Sequence, residues 1–245
     1  MRQFLKKHVL RQQTSRPMII VVDTTKAGSA SNTFVLPITK STTETVKIKW
    51  GDGTSSSAVN GNNTHVYENS GIYNVTIDSQ IFSGIKFNGV GDCLKVIEVV
   101  DFGTVINESL AGNFQGCLNL TKTSSKPIIH SSTTARYLFR LTGITTAPNL
   151  NTSNITDMTQ MFFQSALTTV PTYDLSSVTT AVSMFFGVTL TTQSYSDFLI
   201  NLATLPLQSG VSFHGGNSKY NPAAAIARAY LVSNFGWTIT DGGAA

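Results

Sequence analysis

The sequence repeats itself at an offset of 23 residues, in two stretches that read Ile155-Thr-Asp-Met158-Thr-Gln-Met161-Phe162-Phe163 and Val178-Thr-Thr-Ala181-Val-Ser-Met184-Phe185-Phe186. The same offset relates Gly143-Ile-Thr-Thr-Ala-Pro148 to Ala166-Leu-Thr-Thr-Val-Pro171. A unit of this size cannot bury its own apolar face and has to stack on its neighbours. The pattern therefore predicts a repeat solenoid over residues 91–192.

One repeat unit also matches a known family motif. Asn151-Thr-Ser-Asn154-Ile-Thr-Asp157-Met158-Thr-Gln-Met161-Phe162 resembles the N-T-S-N-V-T-D-M-x-x-M-F unit of the BspA-type leucine-rich-repeat surface proteins. The ending Gly236-Trp237-Thr-Ile-Thr-Asp-Gly-Gly243 looks like the C-terminal cap of such proteins, many of which are encoded by bacteriophages. The resemblance implies a leucine-rich-repeat solenoid that is closed by an α/β capping unit over residues 193–245. A helix that begins at Asn221-Pro222 is predicted inside that unit.

The repeated apolar positions are predicted to form the core of the solenoid rather than a ligand box. They are Leu94, Val96, Ile97, Val99, Phe114, Leu118, Leu120, Leu138, Phe139, Ile144, Met158, Met161, Phe162, Leu167, Met184, Phe185 and Leu190. Cys93 and Cys117 occupy equivalent repeat positions, so they are expected to stack roughly 4.8 Å apart, one strand spacing. The simplest interpretation is two buried small apolar residues, and whether they pair stays open.

Residues 18–90 predict a different architecture, in which short apolar or alternating runs are separated by turn signals. The runs cover residues 18–22, 33–38, 46–50, 64–67 and 72–77. This spacing is typical of a small antiparallel β-sandwich. The predicted fold class is therefore mainly β with short helices, a sandwich followed by a solenoid and its cap.

The sandwich region carries a second resemblance. Trp50-Gly-Asp52-Gly-Thr54, His65-Val-Tyr67 and Gly71-Ile-Tyr73-Asn-Val75 resemble the polycystic-kidney-disease (PKD) type immunoglobulin-like domain. The resemblance implies a structural turn built from Trp50, Asp52, His65 and Tyr67. Asp52 is expected to cap backbone amides rather than to act in catalysis or bind calcium. The module is short for this family, so we expect it to lean on the solenoid for part of its core.

Residues 1–17 form a basic arm that contains no acidic residue. The predicted assembly anchor consists of Arg2, Phe4, Lys6, Lys7, Arg11 and Arg16. The alternatives are a solvated tail, an anchor that orders when it docks on a larger assembly, and a targeting or nucleic-acid-binding tail. The remaining chain has 12 basic and 13 acidic residues, which argues against a nucleic-acid partner for the folded part.

Signals for membrane insertion and for enzymatic chemistry are missing from the sequence. No run reaches 18 apolar residues, and no secretory leader is recognised. No P-loop, nucleophile elbow, metalloprotease helix or dinucleotide fingerprint occurs. His8, His65, His130 and His214 are scattered without a metal-ligand spacing. The expectation is a protein that is not an enzyme and that uses no metal and no cofactor.

These features predict a virion-associated structural protein of a bacteriophage, such as a capsid spike, head fibre, decoration or tail-fibre component. The arm would bind other virion proteins, and the repeats would face a host glycan or protein through exposed Thr, Asn and Tyr. Such a protein would be assembled in the host cytoplasm and present in several copies or as a homo-oligomer. The alternatives are a bacterial cell-surface adhesin and, less in keeping with the PKD-like module, an intracellular scaffold.

Overall fold

The computed structural model describes residues 16–40, 43–79, 81–104 and 106–245. Arg2, Phe4, Lys6, Lys7 and Arg11 of the predicted anchor lie outside the described residues. The described chain is mainly β, as predicted, with two short α-helices. Its strands are β1 Met18–Asp23, β2 Thr33–Thr39, β3 Lys47–Lys49, β4 Ser55–Ser57, β5 Gly61–Val66, β6 Ile72–Asp78, β7 Ile81–Phe82, β8 Gly84–Ile85, β9 Val96–Asp101, β10 Ile106–Asn107, β11 Lys122–Thr123, β12 Ser212–His214 and β13 Thr238–Thr240; its helices are α1 Thr192–Leu202 and α2 Pro222–Phe235.

Two sheets build the N-terminal part of the molecule and share one apolar core. The larger sheet has the order β11-β9-β1-β6-β3-β4, and the smaller has the order β5-β2-β8. Ile20 and Val22 of β1 and Phe34 and Leu36 of β2 are fully buried in that core. Their alternation with more exposed neighbours is the period of two that a strand with one buried face requires. The strands predicted between residues 18 and 77 are present.

The larger sheet continues past the predicted domain boundary at residue 90. β9 pairs antiparallel with β1, with Ile20 opposite Val99 and Val22 opposite Val96. β11 then extends the sheet by pairing in parallel with β9. The front sheets therefore complete their core with residues that lie beyond residue 90.

A buried ion pair locks the loop after β1 to the start of the repeat region. Asp92 and Lys95 are 1% and 0% exposed. The Asp92 carboxylate accepts hydrogen bonds from the Ser29 and Val35 amides, each at 2.7 Å. Lys95 Nζ donates to the carbonyl oxygens of Thr33 at 2.7 Å and Ser29 at 3.0 Å. Burial of two charges is tolerated because hydrogen-bond partners surround both.

The repeats stack one upon another through equivalent residues. Parallel bridges join Thr134 to Asp157 and Asp157 to Thr180, and the first of these pairs is separated by 23 residues. The backbone also repeats, since Tyr137, Gln160 and Ser183 all have positive φ, at 60°, 52° and 54°. Three different side chains adopt the same rare conformation. The stack, rather than the residue type, imposes it.

Threonine hydroxyls extend this pairing along the stack. Thr156 Oγ1 donates to the Thr133 carbonyl and Thr179 Oγ1 to the Thr156 carbonyl, each at 3.2 Å. Thr168 Oγ1 donates to the Thr145 carbonyl at the same distance. Each hydroxyl therefore satisfies a carbonyl of the preceding repeat.

A buried ladder of phenylalanine rings, which we call the inner ladder, runs through the stack. Its members are Phe114, Phe139, Phe162 and Phe185, each at most 1% exposed. Successive ring centroids lie 5.5, 5.9 and 5.6 Å apart with nearly parallel planes. Each stacked pair adds about 0.5–1.5 kcal/mol to the stabilisation from burial.

Most of the predicted core residues are buried, but the prediction for Leu118 is wrong. Its side chain is 54% exposed. The backbone ladder aligns Phe114 with Phe139, because Phe114 and Phe139 donate to carbonyls of the next repeat in the same way. That alignment places Leu118 level with Gly143, at a corner of the repeat. Leu118 follows Cys117 as Leu94 follows Cys93, and this match in sequence did not reveal that Leu118 is exposed.

The closing unit continues the core of the last repeat. Ala181 forms a parallel bridge with Phe213 of β12, and the Phe185 ring meets Phe198 of α1 edge-on at 5.9 Å. The Asn221 side chain caps α2 by accepting from the Ala224 amide at 3.1 Å, with proline in the first turn, as predicted. β12 and β13 pair in parallel beside the helices.

Candidate interaction surface

The predicted structural turn brings four residues together from separate positions. The Trp50 and His65 rings stack with centroids 4.8 Å apart, and Tyr67 meets the imidazole edge-on at 4.5 Å. The Tyr67 hydroxyl donates to the Trp50 carbonyl at 3.0 Å. His65 Nε2 lies 2.7 Å from Asp52 Oδ2. All four residues therefore belong to one compact cluster.

Within this cluster Asp52 caps the turn. Its Oδ1 accepts from the Thr54 amide at 2.9 Å and from the Thr54 hydroxyl at 2.6 Å. Burial acts to raise the pKa of Asp52, but hydrogen bonds from Thr54 and His65 outweigh it and lower the pKa to about 2. Thr54 Oγ1 and Asp52 Oδ2 both face the same imidazole nitrogen, at 3.5 and 2.7 Å. The imidazole does not lie between hydroxyl and carboxylate as a proton relay requires, so the geometry is that of a turn lock.

Arg16, the described member of the predicted anchor, is bound to its own chain. Its Nη1 lies 2.6 Å from Asp101 Oδ2, and its amide donates to Thr104 Oγ1 at 2.9 Å. The Thr104 amide donates back to the Arg16 carbonyl at 2.9 Å. Gly103, at φ 71°, has no room for a side chain, because a Cβ there would lie 2.6 Å from that carbonyl. The root of the arm is thus fixed beside the end of β9.

Asp101 also forms an ion pair with a second cation, Lys126. Lys126 Nζ lies 2.7 Å from Asp101 Oδ2, so one carboxylate holds both Arg16 and Lys126. Burial acts to raise the pKa of Asp101, but the hydrogen bonds from Lys126 and Gly103 and the two positive charges lower it. The cluster ties the root of the arm to both β9 and the repeat that follows β11.

The remaining histidines and cysteines have structural partners. His130 Nε2 lies 2.7 Å from the Asn151 carbonyl, and His214 Nδ1 accepts from the Gly216 amide at 3.0 Å. Cys93 and Cys117 are buried and free, in agreement with the apolar interpretation. Burial raises the pKa of the Cys117 thiol, with a smaller contribution from Cys93. Among the residues that the structure describes, no three His, Cys, Asp or Glu side chains could together hold a metal ion. His8 lies outside the described residues.

A second column of side chains, which we call the outer column, runs beside the inner ladder. It consists of Arg140, Phe163, Phe186 and His214. The Arg140 Cζ atom lies 4.8 Å from the centre of the Phe163 ring. The Phe163 and Phe186 rings stack at 4.9 Å, and His214 meets Phe186 at 5.3 Å. Phe186 is 42% exposed, so this column is part of the surface.

The sequence offered a signal for the outer column that the core prediction did not use. Each buried phenylalanine of the last two repeats is followed directly by a second one, as in Phe162-Phe163 and Phe185-Phe186. In each pair the first ring is buried in the inner ladder and the second belongs to the outer column, and both rings lie in a turn rather than in a strand. The repeated pair therefore marks one aromatic position in each column. Arg140 lies 23 residues before Phe163 and therefore occupies the equivalent position in the preceding repeat.

The outer column begins at Arg140, which together with Arg136 forms a pair of cations that we call the arginine pair. They are the only Lys or Arg residues between positions 127 and 191. Their Cζ atoms lie 4.7 and 6.0 Å from the centre of the Tyr137 ring. The arginine pair therefore creates one positive spot on an otherwise weakly charged face.

An open groove lies on another side of the repeats. It has a volume of about 750 Å³ and is lined by Glu98 and by residues 121–125, 145–149 and 171–172. Lys122 stands opposite Glu98 in the register of β11 and β9. The other lining residues are mostly serine and threonine. Such a groove can exchange hydrogen bonds with a hydroxyl-rich ligand but offers it no aromatic surface.

Helix α2 leaves three large apolar side chains exposed. Ile226 is 79% exposed, and Tyr230 and Val232 are 40% and 42% exposed. The charged residue of this helix, Arg228, turns to Asp241, which its Nε meets at 2.8 Å. Ile226 and Tyr230, four residues apart, share one side of the helix, whereas Val232 lies on another.

Comparisons with family models, with curated proteins and with solved structures find no match to this chain. In the described part of the chain, neither helix has the length and apolar character that crossing a bilayer would require.

Proposed function

We propose that this chain is a virion-associated surface protein of a bacteriophage, acting as a capsid spike, head fibre, decoration or tail-fibre component. In this proposal a PKD-like module spans residues 18–90, a BspA-type leucine-rich-repeat solenoid spans residues 91–192, and residues 193–245 cap it. The turn cluster around Asp52 supports the first assignment. The stacked repeats and the inner ladder support the second.

The observation that carries the proposal is the fixed root of the basic arm. Residues 1–15 contain Arg2, Lys6, Lys7 and Arg11 and no acid. They join the folded body at Arg16, which Asp101 and Thr104 hold by side chain and backbone. An arm attached through a rigid root would set the orientation of the body on whatever the arm binds. The repeats and their outer column would then be presented at a defined angle.

The test is a truncation that removes residues 1–15 and keeps Arg16, because Arg16 belongs to the fold. The protein is supplied to an infected culture, the phage particles are purified from that culture, and the amount of the protein that sediments with them is measured. We expect the truncated protein to remain in the supernatant while the full chain sediments with the particles. Circular dichroism of the truncated protein controls for its folding.

A second variant separates charge from apolar contact in the same experiment. Arg2, Lys6, Lys7 and Arg11 are replaced together by glutamine, which leaves Phe4 in place. Reduced sedimentation of this variant assigns the anchor to the positive charges. Co-sedimentation of a folded truncated protein at the full-length level would show that the arm is not the anchor.

A bacterial cell-surface adhesin is the second candidate, because the exposed outer column would serve it equally well. Antibody labelling of an infected culture separates the two: the phage proposal requires label on particles, and the adhesin requires label on uninfected cells. A multicopy or homo-oligomeric arrangement is part of the phage proposal. The side of α2 that exposes Ile226 and Tyr230 supports it, since two copies of such a surface meet without charge repulsion.

A further inference from the structure

We infer that the arginine pair and the outer column form a binding site for the carboxylate of an acidic sugar. The inference rests on the proposed function for the role of the ligand, a component of the host surface. It rests on the geometry around Arg140 for the ligand's chemistry. The exposed threonine, asparagine and tyrosine side chains suggest glycan contact only in general terms, whereas this site specifies one group of the glycan.

The first step is the fixed position of the Arg140 guanidinium. Its Nε donates to Gln160 Oε1 at 2.9 Å. Its Cζ lies 4.8 Å from the centre of the Phe163 ring and 6.0 Å from that of Tyr137. Cation–π contact and one hydrogen bond therefore hold the planar group. When a ligand binds this guanidinium, the Arg140 side chain therefore loses little additional conformational freedom.

The second step is the pair of donors that this arrangement leaves open. Arg140 uses Nε for its hydrogen bond to the Gln160 side chain. Within the part of the chain that the structure describes, no carboxylate lies within ion-pair distance of the Arg140 guanidinium. Nη1 and Nη2 therefore remain for a ligand. Two parallel N–H donors match the two oxygens of a carboxylate in a bidentate hydrogen-bonded pair.

The third step is the second cation beside it. Arg136 lies over the same Tyr137 ring, with its Cζ 4.7 Å from the ring centre, and donates to the Tyr137 hydroxyl at 2.6 Å. Asp157 approaches Arg136 to 4.0 Å and partly offsets its charge. Arg140 is then the stronger partner for an anion, and Arg136 adds attraction at longer range.

The surroundings of the arginine pair favour a sugar with a single carboxylate over a polymer with a phosphate at every unit. The positive charge is confined to one repeat, since no other Lys or Arg occurs between residues 127 and 191. Arg140 packs on the Phe163 ring, and Phe186, which stacks on the far side of that ring, is 42% exposed. A ligand with one carboxylate on a ring that has both C–H and hydroxyl groups matches this combination. A polymer with a phosphate at every unit would find a cationic partner for only one of its phosphates.

The test measures binding of the full chain to polygalacturonate, a carboxylate polymer, to dextran sulfate, and to neutral dextran, by biolayer interferometry. We expect binding to polygalacturonate and none to dextran. Arg140→Gln should weaken polygalacturonate binding about tenfold or more, since a hydrogen bond to a charged group contributes about 1.5–3 kcal/mol. Arg140→Lys keeps the charge but not the planar fork, so it should recover only part of the loss.

Lys122→Gln is the matched control, because it removes one exposed cation from the same stack of repeats outside the outer column. It should leave polygalacturonate binding within about twofold of the original value, a change of under 0.5 kcal/mol. An equal loss in Lys122→Gln and Arg140→Gln would reduce the effect to general electrostatics and overturn the inference. Unchanged binding in a folded Arg140→Gln variant would overturn it too, as would a larger loss of binding to dextran sulfate than to polygalacturonate in that variant.

The outcome is independent of the test of the arm. If the truncated chain leaves the particles but polygalacturonate does not bind, the virion assignment stands and the sugar site is wrong. If polygalacturonate binds through Arg140 but the truncated chain still sediments, the site stands and the anchoring role is wrong.

Discussion

Asp52 illustrates how one carboxylate can organise a loop without taking part in chemistry. Its two oxygens serve different partners, Thr54 on one side and His65 on the other. The stack of Trp50, His65 and Tyr67 then covers the turn. A carboxylate that accepts several hydrogen bonds favours its charged form. The stability of the turn must therefore depend on pH in the acid range.

We expect Asp52→Asn to destabilise the fold at pH 6 by about 1 kcal/mol, a small value because this turn is partly exposed. The pKa of Asp52 is lowered from 3.8 to about 2 in the folded chain. Its contribution is therefore complete above pH 4 and is lost as the pH falls through 2. Urea unfolding at a series of pH values measures the difference between the two proteins, which should close toward pH 2.

The control for this measurement is Asp78→Asn. Asp78 meets Lys49 at 3.9 Å in an exposed ion pair, which should contribute little at any pH. If the difference in unfolding free energy between Asp52→Asn and the original protein stayed the same from pH 6 to pH 2, the charge of Asp52 would not be the origin of the stability.

At the scale of elements, the repeat stack places two columns of phenylalanine side by side with different roles. Phe162 of the inner ladder is fully buried between Phe139 and Phe185. Phe186 of the outer column stacks on Phe163 but is 42% exposed. Ring stacking is common to both columns. Burial is what distinguishes them.

We expect Phe162→Ala to lower the free energy of unfolding by about 3–5 kcal/mol, because it removes a buried ring and leaves a cavity. Phe186→Ala is the matched control and should cost about 1 kcal/mol or less, since water can fill the space. Urea unfolding followed by circular dichroism gives both values. Equal losses in the two variants would mean that stacking, rather than burial, holds the repeats together.

At the scale of the whole molecule, the front sheets and the repeats share a single core. β9 belongs to the larger sheet and also leads into the repeats, and the buried apolar residues form one continuous cluster. The pair of Asp92 and Lys95 closes the junction on the side of the loop after β1. The two parts should therefore unfold together.

We expect Lys95→Met to destabilise the whole chain by about 3–5 kcal/mol, because it leaves the Asp92 carboxylate buried without its cation. Replacing Asp92 by asparagine in the same chain should recover part of the loss. Lys49→Met, which removes an exposed cation, should change the stability by less than about 1 kcal/mol. Differential scanning calorimetry would disprove this account if Lys95→Met were as stable as Lys49→Met.

The features that could be predicted from the sequence are those that follow a local pattern or a repeat. A period of 23 residues determined the stack, alternation determined the front strands, and Asn221-Pro222 determined where α2 begins. Each of these patterns is local and reflects the geometry of one element or one repeat. The same reasoning failed at Leu118, where the turn of the repeat places the side chain outside the core.

Contacts between groups that are far apart in sequence depend on the packing of the whole chain. Arg16 and Asp101 are 85 residues apart, Val35 and Asp92 are 57 apart, and Arg140 and Gln160 are 20 apart. No spacing rule in the sequence specifies these contacts, because a polar side chain takes whichever partner the packed core brings within hydrogen-bond reach. The root of the arm, the junction lock and the arginine pair therefore became visible only once the repeats were stacked.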